Sequence, residues 1–324
     1  MTRKLRLVRL VHRGFVGAGL AVPDVRLVPT SDVLSAADLL IRRDGRGFSV
    51  LFSEETPTHF LPQLFDKCAA FIHWLSHANP AVTEILANCT DGEGPSHARY
   101  AYSVNRAGVT ALPDMHFLIH RGYADIDAHA RANPVCWADR HDRIVWRGAL
   151  NNTGHFNLDP AFMSHAGVMQ RLRMAQHCRD TQIDFRFVQM PSNVYNTVLQ
   201  KAGLIGDFIP ATDWGSAKFA VDIDGFTNAW SNFLQRLKLG CCILKVDSQF
   251  GFRQWYYDQI RPWEHYVPIK ADLSDLHQQI DWVRSNDAQA SEIAANAQRF
   301  ARGLTMDSET RVAARLINQT EGVA

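Results

Sequence analysis

The chain has 324 residues, of which 46% are apolar and 21% are charged. This composition is that of an ordinary globular protein and excludes disorder as an overall description, and the length allows two domains of roughly 150 residues each. The formal net charge of +1 excludes a global electrostatic field that would by itself recruit nucleic acid or an anionic membrane.

The amino-terminal segment is basic. Arg3, Lys4, Arg6 and Arg9 are interleaved with leucine and valine. This pattern predicts a solvated first β-strand, with contact to anionic lipid as the alternative. No apolar stretch of secretory length follows before Arg13, and no run approaches the roughly 20 apolar residues of a membrane span. We therefore expect a cytoplasmic protein, with at most peripheral contact with the inner face of the membrane.

The cysteines do not predict disulfides. The chain has 6 of them, without a CxxC pair or the regular spacing of a disulfide framework, and Cys241 and Cys242 are adjacent in an apolar run. Buried free thiols in a reducing compartment are the expected state.

Apolar periodicity predicts alternating helices and strands. Residues 59–77 carry apolar side chains at helical spacing, and Asn79 with Pro80 ends the pattern. Runs rich in β-branched or aromatic residues predict strands at 48–52, 116–120, 143–146 and 184–189. This alternation is typical of βαβ units. We predict an α/β fold with a junction near Asn133-Pro134 and two domains, residues 1–137 and 138–324.

Two histidines in the first predicted helix have the spacing of a metal site. His73 and His77 lie at i and i+4, as in a zinc-binding helix. The glutamate of that motif is missing and no third ligand is assignable. Two ordinary packed or surface histidines are therefore the favoured interpretation.

An apolar strand that ends in Arg-Gly is the first candidate binding element. After Arg147 the chain presents a glycine, two amides and a hydroxyl: Gly148, Asn151, Asn152 and Thr153. Backbone N–H groups, amides and a planar guanidinium suit a diphosphate. A turn in which Arg147 pairs with a surface carboxylate explains the same residues, and this segment alone does not decide between the two.

The clearest strand–helix–strand unit lies between residues 218 and 246. Its elements are predicted at 219–223, 230–239 and 241–246, with Gly240 capping the helix. In open α/β sheets the ligand crevice lies outside the carboxyl ends of the strands. The loop Asp224–Asn228 is therefore predicted to approach a nucleotide, and Gly225 permits a close backbone approach.

A ring cluster follows this unit. Its members are Trp255, Tyr256, Tyr257, Trp263, His265 and Tyr266. The rings could form a stacking wall for a sugar or a base, but such rings more often fill a core, which is the favoured interpretation. Farther along, capping residues predict two helices, one after Ser274 and one that starts at Asn286 or Asp287 and stops at Gly303.

Three segments between residues 110 and 306 share a pattern with one known family. The first runs from Pro262 to Met306 and begins Pro-Trp-Glu-His-Tyr-Val-Pro-Ile-Lys-Ala-Asp-Leu-Ser. The second joins Asp222-Ile223-Asp224-Gly225 to the run from Leu239 to Lys245, and the third joins Trp137 and Asp139-Arg140 to Trp146-Arg147-Gly148. Together they resemble the Rumi or protein O-glucosyltransferase family, also called capsule-associated or lipopolysaccharide-modifying transferases, which is glycosyltransferase family 90.

The resemblance implies a GT-B fold, in which two Rossmann-like domains face a cleft. The C-terminal domain would hold a UDP-sugar, and the N-terminal domain would contact the acceptor. Expected activity is the inverting transfer of a hexose or pentose, with glucose and xylose as the main candidates, to a hydroxyl of a glycan, lipopolysaccharide or protein. No metal or other cofactor is expected, and the acidic pair Asp222 and Asp224 is interpreted as part of a strand and its following loop rather than as a metal site.

Two departures from the family pattern affect the donor site. The family's eukaryotic members carry Gly-Ser-Arg-Thr where this chain has residues 148–151, and an arginine where this chain has Asn232. Arg147, Lys218 or Lys245 is expected to supply the missing charge. The other residues expected to bind the donor are Gly148, Asn151, Asn152, Thr153, Asp224, Gly225, Thr227, Asn228 and Trp230.

The family's catalytic aspartate follows a segment that resembles residues 115–119, and it aligns with Tyr123. An inverting transfer needs a base beside the acceptor hydroxyl. We assign that role to Asp125, with Asp114 and His120 in reserve, although a structural turn role is favoured for Asp114. The alternatives are a non-catalytic nucleotide-sugar or glycan-binding protein that has lost its base, and a nucleotide-dependent enzyme of different chemistry on the same fold.

Overall fold

The computed structural model describes residues 3–32, 34–45, 47–92, 94–151, 153–179, 181–191 and 193–323. The elements up to residue 119 are α1 (Arg3–Gly17), β1 (Val25–Thr30), β2 (Asp38–Asp44), β3 (Gly47–Ser53), α2 (Leu61–Lys67), α3 (Ala69–His77), β4 (Glu84–Asn88), β5 (Tyr100–Ala101), β6 (Thr110–Ala111) and α4 (Met115–Ile119). The later elements are α5 (Ala124–Ala132), β7 (His141–Gly148), α6 (Gln170–His177), β8 (Ile183–Phe187), α7 (Asn196–Lys201), β9 (Ala217–Asp222), α8 (Ser231–Lys238), β10 (Cys242–Val246), β11 (Val267–Ile269), α9 (Leu276–Ser285), α10 (Asp287–Gly303) and α11 (Met306–Thr320).

The chain forms two compact α/β units. Unit 1 comprises Met1–Ala124, Phe252–Tyr257 and Leu304–Ala324, and unit 2 comprises Asp125–Gly251 and Asp258–Gly303. The α/β prediction is confirmed, but the predicted division at 137/138 differs from this one. Helix α11 belongs to unit 1 because its apolar face, with Ala313 and Ile317, is buried and the helix packs on α3.

Unit 1 is built on a mixed sheet. Its strand order among the described residues is β1-β3-β2-β4-β5-β6. Strand β2 is antiparallel to β3 and β4, and the remaining pairs are parallel. The strand predicted at 48–52 is confirmed as β3.

Three sequence-based predictions in unit 1 are wrong. The basic first segment is helix α1, because Leu7, Val11 and Phe15 repeat every four residues and bury one face. Residues 116–119 belong to α4 rather than to a strand, and His120 is the C-cap of that helix. Asp114 caps its other end by accepting the Phe117 N–H at 2.9 Å. The helix predicted at 59–77 is two helices, α2 and α3, which meet at Cys68.

Unit 2 is built on a parallel sheet, which contains the strands predicted at 143–146, 184–189, 219–223 and 241–246. Its order among the described residues is β11-β10-β9-β7-β8. Apolar side chains from one face of the sheet and from the helices that cover it form a core, among them Phe185, Phe219, Leu244 and Val283. The chain passes from β7 outward to β8 and then returns to the other side of β7 for β9. The strand order therefore reverses between β7 and β9, where open α/β sheets bind their ligands.

The cysteines are free thiols. Cys68, Cys89, Cys178, Cys241 and Cys242 are buried as predicted, and Cys136 is exposed. Burial raises the pKa values of the buried thiols, which keeps them protonated. Within the described residues, no helix has both the length and the apolar character needed to cross a membrane.

Candidate functional site

The loops that follow β7 and β9 meet at the carboxyl edge of the unit 2 sheet. We call them, with the side chains that join them, the carboxyl-edge site: residues 148–151, 153–154 and 223–230, with Arg171, Asp222, Arg236 and Lys245. This is where the sequence predicts the donor site. In this structure both loops follow parallel neighbouring strands, and so both approach the same edge.

Gly148 begins the first loop. A Cβ at this position would lie 2.5 Å from the Trp146 ring, so the strand can end here only with glycine. Asn151 lies farther along the loop and is half-buried, whereas Thr153 is exposed. The prediction for Asn152 falls outside the described residues.

Arg171 joins the two loops. Its guanidinium donates to Ala149 O at 2.8 Å and to the Asn151 side chain on one side, and to Ile223 O at 3.0 Å on the other. The side chain is 6% exposed and lies 5.2 Å from the centre of the Trp146 ring. Burial lowers its pKa to about 10, so it stays charged at neutral pH.

Sequence reasoning missed Arg171, although the sequence carries a signal for it. Arg171 and Arg173 stand in the first turn of α6, which contains no acidic residue. Cations at a helix amino terminus oppose the helix dipole. Two arginines at such a position are unfavourable for the helix itself, and this is the signal that could have drawn attention to Arg171.

The second loop is buried and polar. Thr227 is 0% exposed, Asn228 1% and Asp224 6%. Gly225 lies against Arg171, since a Cβ there would be 3.3 Å from a guanidinium nitrogen. Trp230 ends the loop in the left-handed region at φ 51°, a conformation that costs a bulky residue about 1–2 kcal/mol. The loop is thus held in one defined path at the sheet edge.

A buried ion pair lies beneath this loop. Lys245 Nζ donates to Asp222 Oδ2 at 2.9 Å and lies 4.7 Å from the centre of the Phe233 ring. Asp222 is 0% exposed. Asp222 of the Asp-x-Asp pair is therefore paired with a cation. Within the described residues no group of three His, Cys, Asp or Glu side chains has the arrangement of a metal site.

Asp224 is the titratable group of this site. Burial raises its pKa to about 6, although Lys245 and a hydrogen bond from Ser248 lower it. Arg236, also buried, donates to Val221 O at 2.6 Å and stacks 3.8 Å from the centre of the Trp214 ring. The site thus holds three cations, Arg171, Arg236 and Lys245, and two carboxyl groups, Asp222 and Asp224. Protonation of Asp224 would increase the excess of positive charge.

Three buried polar atoms at this edge have no hydrogen-bond partner among the described residues: Arg171 Nε, Asp222 Oδ1 and Thr227 Oγ1. Buried polar groups are nearly always paired, and each unpaired one costs about 1–3 kcal/mol. A ligand with both acceptors and donors, such as a nucleoside diphosphate, can satisfy them.

Two of the cations predicted to bind the donor are engaged elsewhere. Arg147 pairs with Asp184 at 2.8 Å and donates to Asp207 O at 2.9 Å and to Trp146 O at 2.8 Å. Lys218 stands at the amino end of β9, where it pairs with Asp287 at 2.7 Å. Arg147 thus follows the alternative left open by the sequence, a pair with a carboxylate, and the structure does not bring Lys218 to the carboxyl edge.

The candidate bases lie in different surroundings. Asp114 is 2% exposed, caps α4 and accepts from Gln254 at 3.0 Å, and burial raises its pKa. His120 is exposed and stacks on the buried Tyr123 ring at 5.6 Å. Asp125 is exposed in the first turn of α5 and has no hydrogen-bond or ion-pair partner among the described residues. Asp127, by contrast, pairs with Lys238 at 3.1 Å.

The remaining predicted features serve the fold, with one exception. His73 and His77 pack with ring centres 4.4 Å apart, and burial lowers the pKa of His73 to about 4. Trp255, Tyr256 and Tyr257 are buried in unit 1. Trp263 of the same predicted cluster is instead 45% exposed.

Comparisons with known proteins match this chain to one family. Residues 125–319 match the model of "Glycosyl transferase family 90". Protein O-glucosyltransferase 2 of Danio rerio is 35% identical over 178 residues, which cover 55% of this chain and 31% of that protein. The uncharacterized protein 035R of Invertebrate iridescent virus 3 is 28% identical over 279 residues, which cover 81% of this chain and 22% of that protein.

Among solved structures, Anabaena HepE in complex with UDP-glucose shows a TM-score of 0.35 at 11% identity, over 61% of this chain and 52% of that chain. The chain spans less than a third of the length of the two curated relatives. The family model covers more than half of this chain and includes the whole carboxyl-edge site. The chain therefore belongs to glycosyl transferase family 90.

Proposed function

We propose that this chain transfers a sugar from a UDP-sugar to a hydroxyl of a glycan, lipopolysaccharide or protein acceptor, with inversion and without a metal ion. The observation that carries the proposal is the Arg171 bridge. It places a buried guanidinium, with one N–H still unpaired, at the point where the strand order of a parallel sheet reverses. A diphosphate leaving group needs a cation of this kind.

In this proposal Arg171 supplies the charge that the sequence assigns to Arg147, Lys218 or Lys245. The family's phosphate-loop arginine is replaced by Leu150, and Arg171 presents its guanidinium to the backbone of that same loop. Lys245 and Arg236 add positive charge behind it. In this proposal Asn151, Thr227 and Asn228 contact the nucleotide or the sugar.

The sugar is proposed to be glucose or xylose. Relatives named protein O-glucosyltransferase favour glucose. The two sugars differ by one hydroxymethyl group, a difference that pocket contacts discriminate only modestly. Turnover of UDP-glucose and UDP-xylose therefore has to be compared directly.

The experiment measures UDP release from each UDP-sugar with and without oligosaccharide or protein acceptors, in the presence of EDTA. Acceptor-dependent release that survives EDTA is expected, because no divalent ion takes part in the proposed reaction. Loss of turnover in EDTA that manganese or magnesium restores would assign Asp222 and Asp224 to a metal site. UDP-sugar binding without release under any condition would contradict the transfer.

The base is proposed to be Asp125 on the sequence assignment alone, since Asp127 of the same helix pairs with Lys238 and Arg302 at the amino edge of the unit 2 sheet. Asp125→Asn keeps the size of the side chain and should lower turnover by roughly 10²- to 10⁴-fold while UDP affinity stays unchanged. Asp114→Asn is the matched variant, and it should lower stability because Asp114 caps α4 and accepts from Gln254. Near-normal turnover of Asp125→Asn, combined with loss of turnover in His120→Ala, would pass the role to His120.

A second candidate function is binding of a nucleotide sugar or a glycan without transfer. The observation that favours it is Tyr123, which aligns with the family's catalytic aspartate and is 1% exposed at φ 59°. Tyr123 supplies no carboxylate at the position of the family's base. The UDP-release experiment separates the two functions, because a binding protein would retain UDP affinity and show no turnover.

A further inference from the structure

A pocket of about 350 Å³ lies on unit 2, away from the carboxyl-edge site. It is formed by the segment before β11, the helix α9 and the helix α10. Because β11 is parallel to β10, the segment that enters β11 lies at the amino edge of the sheet. The carboxyl-edge site lies at the opposite ends of the same strands, so the two regions are separate.

Two tryptophans form one wall of this pocket. Trp263 and Trp282 pack edge to face with ring centres 4.7 Å apart. Trp282 rests on the core of unit 2, whereas Trp263 remains 45% exposed. An indole supplies a flat apolar surface, and pyranose rings present a matching apolar face of C–H groups, so the two stack while the sugar hydroxyls stay at the rim.

Trp263 is held in place at a conformational cost. Its φ is 64°, in the left-handed region that disfavours every side chain with a Cβ. The conformation is enforced locally, since Trp263 N–H donates to Tyr266 O at 2.7 Å and the His265 ring accepts from Arg261 N–H at 3.1 Å. A strained backbone that exposes a large ring is typical of a binding element.

Polar side chains of α10 form the facing wall. Gln289, Glu292 and Asn296 are spaced i, i+3 and i+7 and so share one face of the helix, above the buried Ile293. Gln289 and Glu292 make no side-chain hydrogen bond or ion pair within the described part of the chain. Amides and a carboxylate next to an aromatic surface offer both donors and acceptors to neutral hydroxyls.

The charge of the pocket narrows the choice of ligand. Glu264 and Glu292 both line it, and Arg261 lies 3.7 Å from Glu264 while remaining 77% exposed. Two carboxylates at the rim disfavour phosphate and acidic sugars. A neutral pyranose can stack on the tryptophan rings and donate hydrogen bonds from its hydroxyls to the carboxylates.

From these contacts we propose that this pocket binds a neutral pyranose unit of the acceptor glycan, at a site separate from the transfer site. The inference rests on the proposed function for the identity of the ligand as an acceptor. A glycan held at this second site would be kept near the enzyme between transfers, because a tethered second contact raises its effective concentration.

The test uses the whole protein labelled with 5-fluorotryptophan and observed by ¹⁹F NMR. Variants Trp263→Phe and Trp282→Phe assign the two signals among those of the 8 tryptophans. Maltohexaose, cellohexaose and xylohexaose are titrated to millimolar concentration, with oligogalacturonate as the acidic probe. At least one neutral oligosaccharide should shift both signals, and oligogalacturonate should shift neither.

Variants test the role of the ring itself. Trp263→Ala should weaken binding of the neutral oligosaccharide by roughly tenfold or more, the usual result of removing a contact tryptophan. Trp263→Gly should weaken it equally but melt at a higher temperature than Trp263→Ala, because glycine adopts the left-handed conformation without strain. Phe208→Ala, at another exposed aromatic residue of unit 2 that is 73% exposed, is the matched control and should bind normally.

The inference is overturned if no neutral oligosaccharide shifts the Trp263 and Trp282 signals, or if binding survives in both Trp263 variants. It is also overturned if Phe208→Ala weakens binding as much as Trp263→Ala. UDP is titrated in parallel. UDP binding without oligosaccharide binding would contradict only the proposed glycan pocket. Oligosaccharide binding without UDP binding would contradict only the proposed donor site.

Discussion

The two edges of the unit 2 sheet carry similar side chains in different surroundings. Each edge has an arginine that holds backbone carbonyls and a lysine on an inner strand. At the amino edge, Arg140 donates to Gly240 O at 2.7 Å and to Leu239 O at 3.0 Å, and Lys218 pairs with Asp287. At the carboxyl edge, Arg171 and Lys245 lie deeper, and polar atoms beside them have no protein partner among the described residues.

The difference shows that pocket size alone does not identify the site. A pocket of about 500 Å³ lies at the amino edge, where Arg140, Ser216 and Arg302 line it. The atoms there that lack hydrogen bonds, Arg302 Nε and Asp127 Oδ1, face each other at 3.4 Å and so compensate one another electrostatically. The carboxyl edge is left with polar atoms that only a ligand or solvent can satisfy.

The largest expected effect contrasts the two lysines. Lys245→Met leaves Asp222, which is 0% exposed, without its cation and should lower the free energy of unfolding by about 3–5 kcal/mol at neutral pH. The loss of stability should be smaller at acidic pH, because the unpaired Asp222 carboxylate then takes up a proton. Lys218→Met breaks a pair with Asp287, which is 52% exposed, and should cost less than about 1 kcal/mol. Urea denaturation at several pH values measures both, and equal losses would break the contrast between the edges.

Asp224 should give the carboxyl edge a pH dependence. Its pKa rises from 3.8 to about 6 on folding, so between these values the folded state binds more protons than the unfolded state. Stability should therefore fall as pH rises through about 6, by up to about 3 kcal/mol. Asp224→Asn should remove this dependence and be the more stable protein at pH 8. Stability curves of wild type and variant that stay parallel from pH 4 to 8 would contradict the raised pKa.

A smaller effect is expected at Arg147. The sequence interpretation assigns its guanidinium to the diphosphate, whereas the structure commits it to Asp184 and three carbonyl groups. Arg147→Ala should therefore lower the free energy of unfolding by about 1–3 kcal/mol, because it leaves buried acceptors unpaired. UDP affinity of the folded variant should change little. A loss of affinity at unchanged stability would restore the sequence interpretation.

The sequence predicted the strands near the site because their patterns are unambiguous. Residues 241–246 follow Gly240 and are apolar except for Lys245, and β10 occupies Cys242–Val246. The run at 115–119 is ambiguous, since five consecutive residues fit either a buried strand or a short helix. The helix forms because Asp114 caps it by accepting the Phe117 N–H, a contact that is visible only in the structure.

The site itself was predicted only in part. The position of the loops follows from strand order, which a βαβ pattern indicates. The choice among the cations does not follow from the pattern. Lys218 and Lys245 lie at opposite ends of their strands, and Arg171 reaches both loops from α6, which lies between them in the chain. Contacts over such sequence distances depend on packing that periodicity does not reveal.

The most direct test of the account is the affinity for UDP of two arginine variants, measured by isothermal titration calorimetry. Arg171→Gln removes a buried guanidinium and Arg140→Gln a half-buried one; each guanidinium holds two backbone carbonyls, so both variants should destabilise the fold. In folded protein, Arg171→Gln should weaken UDP binding by about 1.5–3 kcal/mol, the range of a charge-assisted hydrogen bond, and Arg140→Gln should leave it unchanged. Unchanged UDP affinity in Arg171→Gln, or an equal loss in both variants, would contradict the assignment of the donor site to the carboxyl edge.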